Sequence, residues 1–222
     1  WYDQMIHASR LHQALFNSIK VGVIASIFST LIALLAAKAF TKYKLRLRQL
    51  SYGAILLPFV IPEIIIAVSL IVLWTGMGLQ LGLIPVTLSH ILFCTPFCML
   101  VLISRMEGFD KNLEEAAMDL GENAWGTFWR VTFPLVLPAI VASLLLSFVI
   151  SFDEFILAFF LTSNDQTLPL YMWGQLRFPK KLPHVLALGA VIIVATSIIV
   201  MLSYWLRNLG NPSGKKNNIG GI

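Results

Sequence analysis

Three carboxylates interrupt the most apolar runs of the sequence: Glu63, Asp153 and Glu154. Glu63 directly follows Pro62 and lies close to Pro58, and each proline removes a backbone donor, which predicts a broken helix. A carboxylate at the centre of a bilayer costs about 2.5–3.5 kcal/mol on insertion scales. Such an acid either lines a path for a cationic solute or caps and bridges neighbouring helices, and both interpretations stay open.

The residues around the second and third acids form two separate patterns. Ser143, Ser147 and Ser151 precede Glu154 at helical spacing and predict one polar stripe, whereas Asp153 falls on another side of the same helix. We therefore expect the two acids to have different roles. A path for an organic cation also needs an aromatic wall, and the candidates are Phe152, Phe155, Phe159 and Trp74.

A second candidate set consists of His90, Cys94 and Cys98, which share one helical face. The spacing could hold a soft metal, but Pro96 interrupts it and no fourth ligand is evident, so a packed helix face is the prediction. The sequence has no Gly-x-Ser-x-Gly elbow and no His-Glu-x-x-His pair, and "GNPSGKK" in the tail lacks the spacing of a phosphate-binding loop. We predict no catalytic residue, no metal and no cofactor in this chain.

The composition places these residues in a membrane. The chain is 58% hydrophobic and 12% charged, against about 25% charged in soluble domains. Because a helix needs roughly 20 apolar residues to cross a bilayer, the sequence predicts an all-α bundle of membrane helices. Five stretches qualify as spans: Ser18–Phe40, Tyr52–Thr75, Leu83–Ser104, Leu135–Leu161 and His184–Leu206.

The basic residues predict the orientation of these spans. Eleven of the sixteen Lys and Arg residues fall on one side, which is therefore predicted to be cytoplasmic. The N-terminus is then outside, and an odd number of spans suggests that an earlier span precedes Trp1. Bases gathered at span ends indicate a lipid environment, and we expect no nucleic-acid partner.

A polar segment follows the third span on the predicted cytoplasmic side. A helix over Asn112–Leu120 would carry its apolar residues in one narrow stripe, made of Leu113, Ala116, Ala117 and Leu120. Gly121 allows the left-handed turn that ends such a helix, Asn123 can start a second short helix, and Pro134 is expected to close it. The segment is either an amphipathic linker at the membrane surface or a helix docked in a partner's groove, and the small alanines favour docking.

This segment resembles the EAA loop of ATP-binding-cassette (ABC) importer permeases. The family's pattern is Glu-Ala-Ala, three residues, Gly, nine residues and Ile-x-Leu-Pro, with Val131 and Phe133 standing here for Ile and Leu. The matching positions are Glu115, Ala116, Ala117, Gly121 and Pro134. The resemblance implies that these residues, with Leu120, form a coupling helix that docks on a separate cytoplasmic ABC ATPase dimer, which would bind ATP and Mg.

The likeness extends along the chain. The stretches "RMEGFDKNLEEAAMDLG", "LSFVISFDEFILAFFLTS" and "TLPLYMW" are similar to spermidine/putrescine permeases of the PotC type. This implies a type I importer permease with five of six spans present, a transmembrane domain over residues 1–210 that includes a coupling loop at about 105–134, and a polar cytoplasmic tail over residues 211–222.

The resemblance also implies partners and a function. The chain would lie in the bacterial inner membrane, pair with a second permease subunit and receive a polyamine from an external solute-binding protein. Glu63, Asp153 and Glu154 would line the path. The alternatives are a related permease for ferric iron or another small solute, and, from a different class, an ATP-independent channel or membrane enzyme. The outer loop Thr162–Pro183 predicts a short helix, which either seats the binding protein or rests on the membrane.

Overall fold

A computed structural model describes residues 8–42, 48–108 and 112–209. All regular elements in these ranges are helical. The α-helices are α1 Ser9–Lys42, α2 Arg48–Val60, α3 Glu63–Gly76, α4 Leu83–Glu107, α5 Asn112–Asp119, α6 Ala124–Thr127, α7 Phe133–Asp153, α8 Ile156–Leu161, α9 Leu168–Leu176 and α10 Leu182–Leu209. A π-helix over Phe128–Thr132 joins α6 to α7, and a 3₁₀ turn over Pro179–Lys181 precedes α10. The predicted all-α bundle is confirmed.

The core of the bundle is formed by α1, α4 and α7, and α10 packs on α7. The buried face of α1 is made largely of small residues, among them Ala25, Ser29 and Ala33. Small residues let helices approach closely in a membrane, where apolar surface alone gives no preference for protein over lipid. Gly22 shows this directly, since a Cβ atom there would lie 3.0 Å from the Phe148 ring.

Four helices are long and apolar enough to cross a membrane: Ser9–Lys42, Leu83–Glu107, Ala124–Asp153 and Pro179–Leu206. The first, third and fifth predicted spans lie largely within three of them and are confirmed.

The second predicted span, Tyr52–Thr75, is a bent pair of helices. Gln49–Val60 and Glu63–Gly76 meet at an angle of 100°. Pro62 lacks the N–H that would continue the ladder, and it pushes the preceding residue away from helical geometry. The predicted break is therefore confirmed, but the stretch is one span only if its two halves are taken together.

The fourth predicted span, Leu135–Leu161, is wrong at its outer end. Helix α7 stops at Asp153, Glu154 is extended with φ −68° and ψ 122°, and α8 begins two residues later. The Glu154 side chain accepts a hydrogen bond from the backbone N–H of Leu157 at 2.9 Å and so satisfies one of the free N–H groups in the first turn of α8, whose N-cap residue is Phe155. Because the run stays apolar through this break, hydropathy predicted one continuous helix.

The loops separate onto two ends of the bundle. At one end, Lys42 at the end of α1 meets Glu114 of α5. At the other end, Asn17 and Ser18 near the start of α1 bond to the backbone of Gln166 and Leu168. We call these the inner and outer ends, after the predicted orientation. Residues 43–47, 109–111 and the predicted tail over 211–222 lie outside the described residues.

Candidate functional site

Helix α5 ends in a glycine turn at the inner end. Gly121 has φ +93°, its N–H bonds to the Met118 carbonyl at 2.9 Å, and the Glu122 N–H bonds to the Ala117 carbonyl at 3.1 Å. These two bonds form a Schellman motif, in which glycine avoids the strain of a left-handed backbone. The helix predicted over Asn112–Leu120 and its glycine stop are confirmed.

The apolar stripe of α5 points away from the protein. Leu120 is 89% exposed and Leu113 is 47% exposed, while Ala116 is exposed and Ala117 is half-buried. Helix α5 has no buried residue at all. An amphipathic helix normally turns its apolar side inward, so the stripe is free to contact another surface.

The opposite side of α5 is attached to the bundle through Glu114. Its carboxylate lies 3.4 Å from the Lys42 ammonium and also accepts a hydrogen bond from the Thr132 hydroxyl. Sequence reasoning missed this residue, because it singled out the neighbouring Glu115, which is exposed. The sequence offered one indication of this role. Successive residues of a helix are rotated by about 100°, so Glu114 lies to one side of the apolar stripe.

After α5, the helix α6, the π-helix and α7 form one continuous helical run into the fourth span. Asn123 accepts a hydrogen bond from the Gly126 N–H at 2.8 Å and starts α6, as predicted. Pro134, which was expected to close this helix, lies instead in the first turn of α7. The π-helix explains why the helix continues through Pro134. In its wider turn the Phe133 N–H bonds back to the Phe128 carbonyl, and this relieves the crowding that proline causes.

Two of the three membrane acids lie at the starts of helices that pack against each other. Glu63 lies in the first turn of α3, Glu154 bonds to the first turn of α8, and these two short helices pack against each other. Glu63 is half-buried and Glu154 is 8% exposed. Helix N-termini favour negative charge, so both breaks provide sites where a carboxylate is stabilised.

Asp153 lies apart from this pair. It is exposed and lines a groove between α7, α9 and α10 with Phe152, Phe155 and Trp173. The Phe155 and Trp173 rings are 5.6 Å apart between centroids. The structure thus places the two neighbouring acids on different sides, as expected. Trp74 instead donates its indole N–H to the Gln80 carbonyl at 2.8 Å and holds the turn after α3.

The serine stripe and the His–Cys face pack against each other. The Ser151 hydroxyl is 2.7 Å from His90 Nδ1, and Cys94 and Cys98 approach the carbonyls of Ser147 and Ser143. The predicted packed helix face is confirmed. Within 8–42, 48–108 and 112–209, no three His, Cys, Asp or Glu side chains are grouped to hold a metal ion.

Comparison with known proteins identifies the family to which this bundle of membrane helices belongs. The chain belongs to the family of inner membrane components of binding-protein-dependent transport systems, whose sequence profile matches residues 29–213. It is therefore a multi-pass permease subunit of the bacterial inner membrane.

The particular relatives are polyamine permeases. The chain is 33% identical over 204 residues to the spermidine/putrescine transport system permease protein PotC of Escherichia coli (strain K12), covering 91% of this chain and 77% of that protein. It is 32% identical to the PotC protein of Haemophilus influenzae, with coverages of 95% and 82%. It is 27% identical to the putrescine transport system permease protein PotI of E. coli (strain K12), with coverages of 93% and 76%.

The fold also matches solved structures of ABC importers. A bacterial ABC transporter involved in the import of the acidic polysaccharide alginate superimposes with a TM-score of 0.69 at 19% identity, covering 94% of this chain and 78% of that chain. A second alginate transporter structure, in complex with a periplasmic protein bound to alginate pentasaccharide, gives a TM-score of 0.61 at 16% identity, covering 100% of this chain and 84% of that chain. At this identity the match shows the ABC importer permease fold alone.

Proposed function

We propose that this permease imports a polyamine, spermidine or putrescine, by alternating access, and that separate cytoplasmic ATPase subunits drive it by docking on α5. The observation that carries the proposal is the apolar stripe of α5, which faces outward while Glu114 attaches the opposite side to the bundle. A helix presented in this way is suited to lie in a partner's groove.

The stripe has the shape that close docking requires. Leu113 and Leu120 can each bury apolar side chain, a gain of about 1.5–3 kcal/mol for a leucine that is fully buried. Ala116 and Ala117 lie between them and let a facing surface approach the backbone. Glu115 is exposed beside the stripe, where it can pair with a base of the partner. Gly121 and Pro134 shape the chain that returns to the membrane.

The ATPase dimer would supply the energy and this chain the path. ATP and Mg bind to the partner ATPase, and a second permease subunit completes the translocation path. An external binding protein delivers the solute. ATP must stabilise one permease state more than the other, because a ligand without differential affinity shifts no equilibrium. Broken helices near the path are typical of transporters that alternate between two states.

The acids fit a solute with several positive charges. A polyamine carries positive charges separated by methylene groups, so it needs spaced carboxylates and an apolar or aromatic wall. Glu63 and Glu154, at the starts of two helices in contact, and the groove lined by Asp153 supply these elements at two places. The relatives named above are permeases for spermidine or putrescine, which favours a polyamine over ferric iron or another solute.

Docking is tested by co-purification of the ATPase from membranes that hold the complete transporter. We expect both Ala116→Arg and Glu115→Arg to abolish co-purification. The arginine of Ala116→Arg is too long to enter a groove shaped for alanine, and Glu115→Arg reverses the charge beside the stripe. Ala124→Arg, at an exposed alanine off the stripe, is the matched control and should leave the ATPase bound. Retention of the ATPase by both stripe variants, or solute uptake without any ATPase, would overturn the docking proposal.

The substrate is tested by uptake of radiolabelled spermidine and putrescine in a strain that lacks this permease. Glu63→Gln keeps the size of the side chain and removes its charge, so we expect about a tenfold loss of uptake, equivalent to about 1.4 kcal/mol. Ferric iron uptake is measured in parallel. Polyamine uptake that is unaffected by Glu63→Gln would count against the cation path, and iron uptake without polyamine uptake would refute the substrate.

A further inference from the structure

The Glu114 carboxylate contacts two membrane helices at once. Lys42 is the last residue of α1, and its ammonium lies 3.4 Å from Glu114 Oε2. Thr132, the last residue of the π-helix before α7, donates its hydroxyl hydrogen to Glu114 Oε1. Helices α1 and α7 both belong to the core of the bundle. One side chain of α5 is therefore bonded to the end of α1 and to the π-helix that leads into α7.

Polar contacts, more than packing, hold α5 in place. None of its eight residues is buried, so it contributes little apolar burial against the bundle. The Glu114 side chain is 20% exposed and that of Lys42 is 30% exposed, and partial burial weakens solvent screening of the pair. The nearby Lys38 ammonium lies over the Phe128 ring, 3.8 Å from its centroid, and within the described ranges Lys42 is the cation at ion-pair distance from Glu114.

A second contact joins the start of α7 to α4. The Arg105 guanidinium at the end of α4 donates from Nε and Nη2 to the Leu135 carbonyl, at 3.1 and 3.0 Å. The start of α7 is thus bonded to α4 as well as to α5. A displacement of α5 that pulls on Thr132 reaches a region where α4 and α7 are already joined.

We propose that Glu114 is a positioning residue that passes the displacement of α5 to α1 and α7 through Lys42 and Thr132. This rests on the proposed docking of the ATPase on α5. Loss of the Glu114 contacts leaves the outward stripe intact, so the ATPase still binds, but its movement no longer reaches the spans. The expected defect is ATP hydrolysis without import.

The test is a charge exchange in the complete transporter, reconstituted with its ATPase, partner permease and binding protein in proteoliposomes. Glu114→Lys and Lys42→Glu should each lower the number of solute molecules imported per ATP by about tenfold, and the double variant should recover most of that loss, as expected of residues that interact directly. Arg130→Glu is the control, since it breaks an exposed ion pair with Glu122 on the same loop and should leave the ratio unchanged.

Glu114→Gln provides a variant with minimal disturbance, because its amide oxygen still accepts from Thr132 while the charge is lost. It should uncouple partially with unchanged thermal unfolding and full ATPase co-purification. Normal coupling in Glu114→Gln and Lys42→Glu, or a double exchange as uncoupled as the single variants, would overturn the role of Glu114. Failure of the ATPase to bind the wild-type chain would instead refute the docking proposal.

Discussion

The apolar stripe of α5 and the polar stripe of α7 break the usual rule in opposite directions. Leu113 and Leu120 are exposed at the inner end, where water is expected. Ser147 and Ser151 are buried inside the bundle, where apolar side chains are expected. Both stripes were visible as periodic patterns in the sequence.

Their surroundings separate the two stripes. The Ser147 hydroxyl accepts a hydrogen bond from Ser29 at 3.4 Å, and the Ser151 hydroxyl lies 2.7 Å from His90. The polar stripe is used within the chain and joins α7 to α1 and α4. The stripe of α5 has no comparable covering among the described residues. A stripe whose side chains bond to other helices of the same chain stabilises the fold. A stripe that no described residue covers points to a partner protein.

The largest effect is expected where the exposed stripe ends. Gly121 has φ +93° with open space around it, so Gly121→Val adds no clash but strains the backbone of a β-branched residue in the left-handed region. Redirecting the turn tilts α5, and we expect ATPase co-purification and polyamine uptake to fall to background. Gly53→Val, in open space on α2, is the control. If Gly121→Val co-purifies as much ATPase as the wild type, the exposed stripe of α5 is not the docking surface.

An intermediate effect is expected at Glu154, which combines both kinds of role. Glu154→Gln keeps an oxygen that can accept from the Leu157 N–H but removes the charge, so uptake should fall about tenfold while the thermal unfolding temperature is retained. Glu154→Ala also loses the acceptor of the Leu157 N–H, and a buried N–H left unpaired costs about 1–3 kcal/mol, so this variant should lower both quantities. Equal uptake by wild type and Glu154→Gln would assign Glu154 to structure alone.

The smallest effect is expected in the polar stripe. Ser151→Ala removes the hydrogen bond with His90, and such bonds between membrane helices contribute about 0.6 kcal/mol on average and up to about 1.7 kcal/mol. The unfolding temperature in detergent should fall slightly, with ATPase co-purification unchanged. Ser69→Ala is the control, because Ser69 is exposed and its hydroxyl donates to the Ile65 carbonyl of its own helix, with no other partner among the described residues. Loss of ATPase binding in Ser151→Ala would contradict a purely structural stripe.

The sequence predicted the bundle and the helix α5 with its glycine stop because both depend on local patterns. Hydropathy identified three spans with little error, and the spacing of Ala116, Ala117 and Gly121 identified α5 and its stop. It failed where the local signal was ambiguous. The break at Glu154 lies within an apolar run, and the continuous helix through Pro134 depends on a π turn that composition does not indicate.

The amino-acid sequence by itself determined which residues share a helical face, because helical periodicity acts over a few neighbours. Only the tertiary structure decided which of those faces is covered, because covering a face requires residues distant in the chain. Glu114 and Lys42 are 72 positions apart, and His90 and Ser151 are 61 positions apart. Packing of α1, α4 and α7 brings each pair together, and that packing leaves the stripe of α5 facing outward.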